Sequence, residues 1–201
     1  MAHDNDQESD ELDSRYEFRV WGKYPKARKM LARMASSTTQ QRFEDCYLLI
    51  DDSEWNAKVR DSTLKIKQLI AERKGFERWS SNRYRTSEAT PSPFDELFDE
   101  LNLDRPQRGK KYEIERAVRE LDPESGVRAV FVTKDRQRFR IDDLWAEVTD
   151  IEFNDSDEVL HTLSVEGDDL KALVALRKKL GLRGEPNVAM HQAIEQIENI
   201  E

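Results

Sequence analysis

Polar and apolar residues alternate through residues 14–24, SRYEFRVWGKY, and this alternation predicts a β-strand with two different faces. The apolar face carries Tyr16, Phe18 and Val20, and the polar face carries Glu17, Arg19 and Trp21. Successive side chains of a strand point to opposite sides of a sheet. We therefore expect one face to pack against a core and the other to face solvent or a ligand.

The next segments show helical spacing first and strand spacing afterwards. Apolar residues recur at helical intervals among lysines and arginines in residues 24–34, which predicts a basic amphipathic helix. Strands are predicted at residues 43–51, 54–61, 62–71 and 75–85, with a turn at Lys74 and Gly75. Short connections between these strands favour an antiparallel meander.

The second half repeats this organisation after a break rich in proline and serine. Helices are predicted at residues 94–103 and 110–121, although the second of these segments also has a strand interpretation. Strand candidates follow at residues 127–135, 136–142, 144–153 and 159–167, and helices at residues 168–182 and 187–197. The chain thus has two β-rich halves separated by helices.

Length and composition favour one domain. The chain has 201 residues, and we expect residues 1–14 to be a disordered acidic tail and residues 15–201 to be a single domain. The single cysteine, Cys46, forms no internal disulfide, no apolar run is long enough to span a membrane, and no targeting signal is recognised. These features predict a cytoplasmic protein with no membrane partner.

Net charge argues against a general nucleic-acid surface. The formal charge is −9, and −3 remains once the six acids of residues 1–14 are removed. An alternative interpretation places a nucleic-acid surface on the basic helix at residues 24–34 together with Trp55 and Trp79. The nearly balanced charge makes this the least favoured function.

Basic residues recur at strand spacing, and this pattern carries most of the functional argument. Those on predicted strands are Lys58, Arg60, Lys65, Lys67, Arg78, Lys134, Arg136 and Arg138, and the acids on such strands include Glu17, Glu147 and Glu166. Two basic residues at strand spacing, such as Lys58 and Arg60, are by themselves typical of a solvated surface. Together they repel one another unless carboxylates or a polyanion neutralise them. A closed barrel lined in this way would hold phosphates, with Mg²⁺ or Mn²⁺ on the carboxylates.

The order of these segments resembles the CYTH superfamily, or triphosphate tunnel metalloenzymes. The resemblance rests on YEFRVWG, WNAKVRDSTLKIKQL, VFVTKDRQRFRID, WAEVTDIEF and LSVEGDDLKALVALRKKLGL, and it covers roughly residues 15–199. It implies an α+β fold in which an antiparallel eight-stranded barrel forms a tunnel, with helices packed outside. It also implies that basic residues in the tunnel hold a triphosphate and that glutamates hold a divalent metal.

Carried over by position, the resemblance gives a candidate site with departures from the family pattern. Its basic motifs fall on Lys58 and Arg60, on Lys65 or Lys67, and on Lys134 and Arg136. The opening Glu-x-Glu-x-Lys motif falls on Glu17, Arg19 and Trp21, and the closing acidic strand falls on Thr162, Ser164 and Glu166. Trp21 is expected either to pack in the core or to stack on a ligand. Glu113 and Glu115 are a less favoured alternative for the acidic strand.

Two functions follow from this resemblance. The first is binding of a triphosphate or nucleotide ligand in the tunnel, either alone or with metal-dependent hydrolysis by water. The alternative is a catalytically silent CYTH-like module that recognises a phosphorylated ligand or a macromolecular partner. The arginine at position 19, where the resemblance places a carboxylate, argues for the alternative.

Overall fold

The structure, a computed structural model, describes residues 14–50, 56–61, 63–85, 127–153 and 158–198. The strands are β1 (Arg15–Trp21), β2 (Ser37–Ile50), β3 (Asn56–Arg60), β4 (Thr63–Arg73), β5 (Phe76–Arg85), β6 (Val127–Ile141), β7 (Leu144–Phe153) and β8 (Val159–Gly167). The helices in these ranges are α1 (Pro25–Met34), α2 (Leu170–Lys179) and α3 (Met190–Glu198).

The eight strands form one closed barrel in the order β1-β5-β4-β3-β2-β6-β7-β8. Every neighbouring pair is antiparallel, and β1 closes the barrel between β5 and β8. The two β-rich halves of the sequence meet at two places, where β2 pairs with β6 and where β1 pairs with β8. The predicted α+β fold with an antiparallel barrel is therefore confirmed.

Several strand boundaries differ from the prediction. β2 begins at Ser37 rather than at residue 43, and β6 is one strand where the sequence predicts two. The cause is their mutual pairing, which is continuous from Ser37 opposite Arg140 to Ile50 opposite Val127. Backbone hydrogen bonding to a long partner extends a strand through polar residues that carry no alternating pattern. The predicted helices at 94–103 and 110–121, with Glu113 and Glu115, lie outside the described residues.

The outer face of the barrel carries the larger core. The apolar face of β1 packs there under α1 and α2, as the alternation predicts, and Phe18 is completely buried. Asp169 begins α2, where its carboxylate accepts hydrogen bonds from the backbone amides of Lys171 and Ala172. The helices thus cover the barrel from outside and leave the other face of each strand to the interior.

Helix α3 covers the interior at one end, which we call the apolar end. Met190 and Ile194 of α3 pack against inner-face side chains, with Trp21 beside them. The strand residues in this cluster are Tyr47, Leu49, Val130, Val132, Ile151, Phe153 and Leu160. Trp21 therefore packs in this cluster, and its indole nitrogen donates to the carbonyl of Val188 at 3.0 Å.

The segment before α3 also fixes the backbone of β1. β5 pairs with β1 only from Arg15 to Glu17. Beyond that point the amide of Arg19 donates to the side-chain oxygen of Asn187 at 2.7 Å, and the Arg19 carbonyl accepts from the amide of Val188 at 3.1 Å. The edge that β5 leaves unpaired is thus satisfied, and Arg19 is held with its side chain toward the interior.

Candidate functional site

A cavity of about 660 Å³ occupies the other end of the barrel interior, which we call the charged end. Its basic lining residues are Arg15, Arg19, Lys58, Arg60, Lys65, Lys67, Lys134, Arg136 and Arg138. Its acidic lining residues are Glu17, Asp61, Glu147 and Glu166. Asp45 contacts three of the bases. Among the described residues, nine basic side chains therefore meet five acidic ones.

Asp45 is the centre of the first ion-pair cluster, the Asp45 cluster. Its side chain is fully buried, and Arg60 binds both carboxylate oxygens, at 2.5 and 2.7 Å. Lys58 and Lys134 lie 3.3 and 3.0 Å from the same carboxylate. Burial opposes ionisation of Asp45, but Lys58, Lys134 and Arg60 outweigh it and hold its pKa well below the ordinary range.

The two lysines of the Asp45 cluster have lowered pKa values. Burial lowers the pKa of Lys58 to about 7, with a smaller contribution from Lys134 and against the attraction of Asp45. Burial likewise lowers the pKa of Lys134 to about 8. The Lys134 ammonium also donates to the Tyr47 hydroxyl at 2.5 Å. Together with Arg60, these lysines place three basic groups around one acid. An additional anion would therefore favour the charged forms of the lysines.

Glu17 organises a second cluster with Arg19 and Lys67. The Arg19 guanidinium donates twice to one Glu17 oxygen, at 3.2 and 2.8 Å, and Lys67 lies 3.0 Å from the other oxygen. Arg19 also donates to the hydroxyl of Thr162 at 3.3 Å. Although burial opposes it, the attraction of Lys67 and Arg19 holds the pKa of Glu17 well below its usual range.

The remaining predicted acids pair with arginines from β6. Glu147 lies 3.5 Å from Arg136 and 3.2 Å from Arg138, and Arg138 also binds Glu166 at 2.6 Å. The three strands β6, β7 and β8 are adjacent in the barrel, which brings these side chains together. Each carboxylate predicted to bind a metal is therefore already within reach of a basic side chain.

Aromatic rings support several of the arginines in the cavity. The guanidinium carbons of Arg60 and Arg136 lie 3.8 and 4.8 Å from the centre of the Phe43 ring. That of Arg138 lies 4.0 Å from the centre of the Trp145 ring. Such contacts attract the cation to the ring face and restrict its rotation. The arginines are consequently oriented before any ligand arrives.

The structure brings together all but one of the predicted phosphate-binding and metal-binding residues. Seven of the eight predicted bases and all three predicted acids, Glu17, Glu147 and Glu166, line the cavity. The exception is Arg78, which is not among the lining residues. Its guanidinium lies 5.4 Å from the Tyr16 ring centre and donates to the Ser14 hydroxyl. Arg78 directly precedes Trp79, whose side chain lines the cavity. Because successive side chains alternate between faces, Arg78 belongs to the other face of β5.

The described donors do not fit the divalent metal that the resemblance implies. A hard cation such as Mg²⁺ needs several oxygen ligands directed at one point. Within residues 14–50, 56–61, 63–85, 127–153 and 158–198, no three acidic, histidine or cysteine side chains gather in such a way. Glu17, Glu147 and Glu166 instead face guanidinium or ammonium groups, and Arg19 adds a buried positive charge beside Glu17.

Sequence reasoning missed Asp45 and the aromatic residues of the cavity. Phe43, Asp45 and Tyr47 share the inner face of β2, and the surrounding segment reads as an apolar core strand. The available signal was an acid at even spacing between two aromatic residues. Cys46, on the opposite face, is buried. Trp79, one of the two tryptophans in the alternative nucleic-acid interpretation, is 4% exposed and lines the cavity instead of an outer surface, and Trp55 lies outside the described residues.

Comparison with solved structures supports the fold. PH1012 from Pyrococcus horikoshii OT3 is 13% identical, with 89% of this chain and 98% of that chain covered and a TM-score of 0.54. The conserved hypothetical protein Pfu-838710-001 from Pyrococcus furiosus is 14% identical, with coverage of 89% and 99% and a TM-score of 0.50. The chain has a CYTH-like fold. Neither a protein-family model nor a curated protein matches the sequence.

A third solved structure matches with a lower TM-score. HpAC1 from Hippeastrum, described as an adenylyl cyclase candidate with a dominant triphosphatase activity, is 13% identical. The alignment covers 92% of this chain and 96% of that chain, with a TM-score of 0.47. At these identities the likeness is one of fold, and the function must be argued from the residues in the CYTH-like barrel.

None of the described helices is long and apolar enough to cross a membrane.

Proposed function

We propose that this protein binds a triphosphate-bearing ligand in the cavity at the charged end of its barrel. The observation that carries the proposal is the excess of four basic over acidic side chains among the described residues around one cavity. Arginine and lysine are the side chains that bind phosphate oxygens most strongly. A chain of several phosphates supplies the several negative charges that this cavity would otherwise balance with small counterions.

Individual donors in the cavity support the same ligand class. The Nε of Arg136 is buried and has no hydrogen-bond partner among the described residues. A buried donor without a partner is costly, and an oxygen of a bound phosphate would satisfy it. Because Phe43 already orients this guanidinium, little side-chain freedom would be lost on binding.

The paired carboxylates favour binding over metal-dependent hydrolysis. Mg²⁺ or Mn²⁺ at Glu17, Glu147 or Glu166 would have to displace Arg19, Lys67, Arg136 or Arg138 from contacts of 2.6 to 3.5 Å. The proposal is therefore the catalytically silent form of the family resemblance, a module that recognises a triphosphate without turning it over. The residues proposed to contact phosphate are Lys58, Arg60, Lys65, Lys67, Lys134, Arg136 and Arg138.

Calorimetric titration with tripolyphosphate at low salt tests the binding site. Arg136→Ala should weaken binding about tenfold or more, because it removes one charged hydrogen-bonding group from the cavity. Arg78→Ala is the matched control, since it removes an arginine from another strand of the same barrel but away from the lining. The proposal fails if tripolyphosphate neither binds nor raises the melting temperature, or if both variants weaken binding equally.

Hydrolysis is a separate measurement. Release of phosphate from tripolyphosphate or from a nucleoside triphosphate should stay at the background rate with either Mg²⁺ or Mn²⁺. Rapid metal-dependent release that disappears in Glu17→Gln would show an enzyme instead of a binding module. That result would leave the site in place and change only its activity.

A further inference from the structure

Arg19 lies where a metal-binding carboxylate is expected from the family resemblance. Its side chain enters the barrel from β1 and is 9% exposed. The backbone on both sides of it is fixed by Asn187 and Val188, so the side chain has little freedom to turn away. The guanidinium is therefore a built part of the cavity wall.

The surroundings of Arg19 are those of a stable cation. Burial opposes its charge, but attraction by Glu17 and Glu147 raises its pKa above the ordinary value for arginine. It makes two hydrogen bonds to Glu17 and one to Thr162. A guanidinium has five N–H donors, so these three bonds leave two for an oxygen in the cavity.

Two departures from the family pattern meet in this contact. Position 19 holds a base and position 162 holds a neutral hydroxyl, where the resemblance places acids. The Thr162 hydroxyl accepts from Arg19 at 3.3 Å and donates to the carbonyl of Val20 at 2.8 Å. Thr162 and Ser164 are 1% and 2% exposed. The two positions thus form a hydrogen-bonded pair suited to a guanidinium and offer a metal no second carboxylate.

We propose that Arg19 replaces the divalent metal in this barrel, so that the cavity binds its anionic ligand through side-chain cations alone. A metal would pair with Glu17 and with phosphate oxygens at once, and Arg19 offers N–H donors to both. Because the guanidinium stays charged at every working pH, this cation is permanent. The part concerning the ligand rests on the proposed function, whereas the exclusion of metal from the Glu17 site does not.

Titration of the protein with Mn²⁺ alone, followed by electron paramagnetic resonance, tests the exclusion directly. The natural protein should show no stoichiometric site at micromolar Mn²⁺. Arg19→Glu removes the cation and restores the acid, and should strengthen Mn²⁺ binding at least tenfold. Arg15→Glu is the matched control, because it makes the same charge change on the same face of β1 but farther from Trp21 and the apolar end. A gain confined to Arg19→Glu supports the proposal.

Tripolyphosphate binding in EDTA and in excess Mg²⁺ tests the second part. The natural protein should bind at least as tightly in EDTA, since Mg²⁺ also complexes the free anion. Arg19→Gln, which introduces no new charge beside Glu17, should weaken binding in EDTA about tenfold or more. This variant also provides the binding measurement if Arg19→Glu does not fold.

Four results would overturn the proposal or separate it from the proposed function. A tight Mn²⁺ site in the natural protein that is lost in Glu17→Gln overturns it, as does a gain of Mn²⁺ affinity equal in Arg15→Glu. Tripolyphosphate binding that requires Mg²⁺ also overturns it. If tripolyphosphate binds in neither condition, the proposed function fails, and the Mn²⁺ titration still decides whether Arg19 keeps metal out.

Discussion

The two ends of the barrel interior are built on the same faces of the same strands, and they differ completely in chemistry. At the apolar end, inner-face residues such as Leu49 and Ile151 pack against α3. At the charged end, Asp45 and Glu147 occupy the same faces of β2 and β7 and bind cations. The apolar end gains stability by removing surface from water, and the charged end keeps ions in place by pairing them.

This difference shows that alternation gives the face of a residue but not its role. The apolar end is stabilised by side chains that fill its volume and fit its shape. The free energy lost when one of them is truncated depends on the size of the cavity left behind. The other holds charges that become costly once a partner is removed. Substitutions at the two ends should therefore differ in how they respond to an added anion.

Asp45→Asn should have the largest effect on stability. It leaves Lys58, Arg60 and Lys134 close together without their shared carboxylate, and breaking a buried ion pair costs about 3–5 kcal/mol. Denaturant unfolding at low salt measures this cost. Because three cations lose their counterion, tripolyphosphate should restore much of the stability and bind more tightly than to the natural protein.

Asp150→Asn is the control for this substitution. Asp150 lies 2.7 Å from Nδ1 of His161, but its side chain is 48% exposed, on the face of β7 opposite to Glu147. Contacts between exposed polar side chains contribute at most about 1 kcal/mol, and tripolyphosphate should not rescue any loss. Equal destabilisation by the two substitutions would contradict the central role given to Asp45.

Ile194→Ala should have the next largest effect and should show no rescue by the anion. Ile194 of α3 is fully buried in the cluster at the apolar end. Truncating such a side chain to alanine lowers the free energy of unfolding by about 2–5 kcal/mol. Unfolding of Gln196→Ala, an exposed position of the same helix, provides the baseline and should change by less than about 0.5 kcal/mol. A cost for Ile194→Ala as small as this baseline would mean that α3 does not hold that end closed.

Sequence reasoning succeeded where local alternation carries the information. The faces of β1 follow from period two alone, and β7 and β8 begin and end where the pattern predicts. The same regularity placed most of the predicted bases in one cavity. Arg78 was misplaced because its face depends on the registry of β5, which a single basic residue does not indicate.

Features that depend on distant pairing were beyond the sequence. The polar start of β2 becomes a strand only because β6 continues alongside it. The end of the interior that α3 covers is decided by a buried cluster whose members, such as Tyr47 and Ile194, are far apart in the chain. Asp45 was overlooked for a related reason, since its three partners lie on two other strands.

The pH dependence of tripolyphosphate binding should give the smallest effect and should locate the response at the charged end. With pKa values of about 7 for Lys58 and about 8 for Lys134, both lysines lose protons as the pH rises past these values. Affinity should therefore fall several-fold between about pH 6 and pH 9. Binding near pH 8 should take up protons, as calorimetry in buffers of different ionisation enthalpy would show.

The free energy of unfolding of the ligand-free protein should instead rise as the pH rises through this range. Unfolded lysines keep their protons up to their ordinary pKa of 10.5, so the unfolded state binds more protons than the folded one. The arginine in Lys58→Arg keeps its charge throughout this range, so the affinity of this variant for tripolyphosphate should depend less on pH. Because ionisation of tripolyphosphate itself affects both proteins equally, the difference between their two profiles reports the titration of Lys58. Identical profiles for the natural protein and Lys58→Arg would exclude Lys58 from the response.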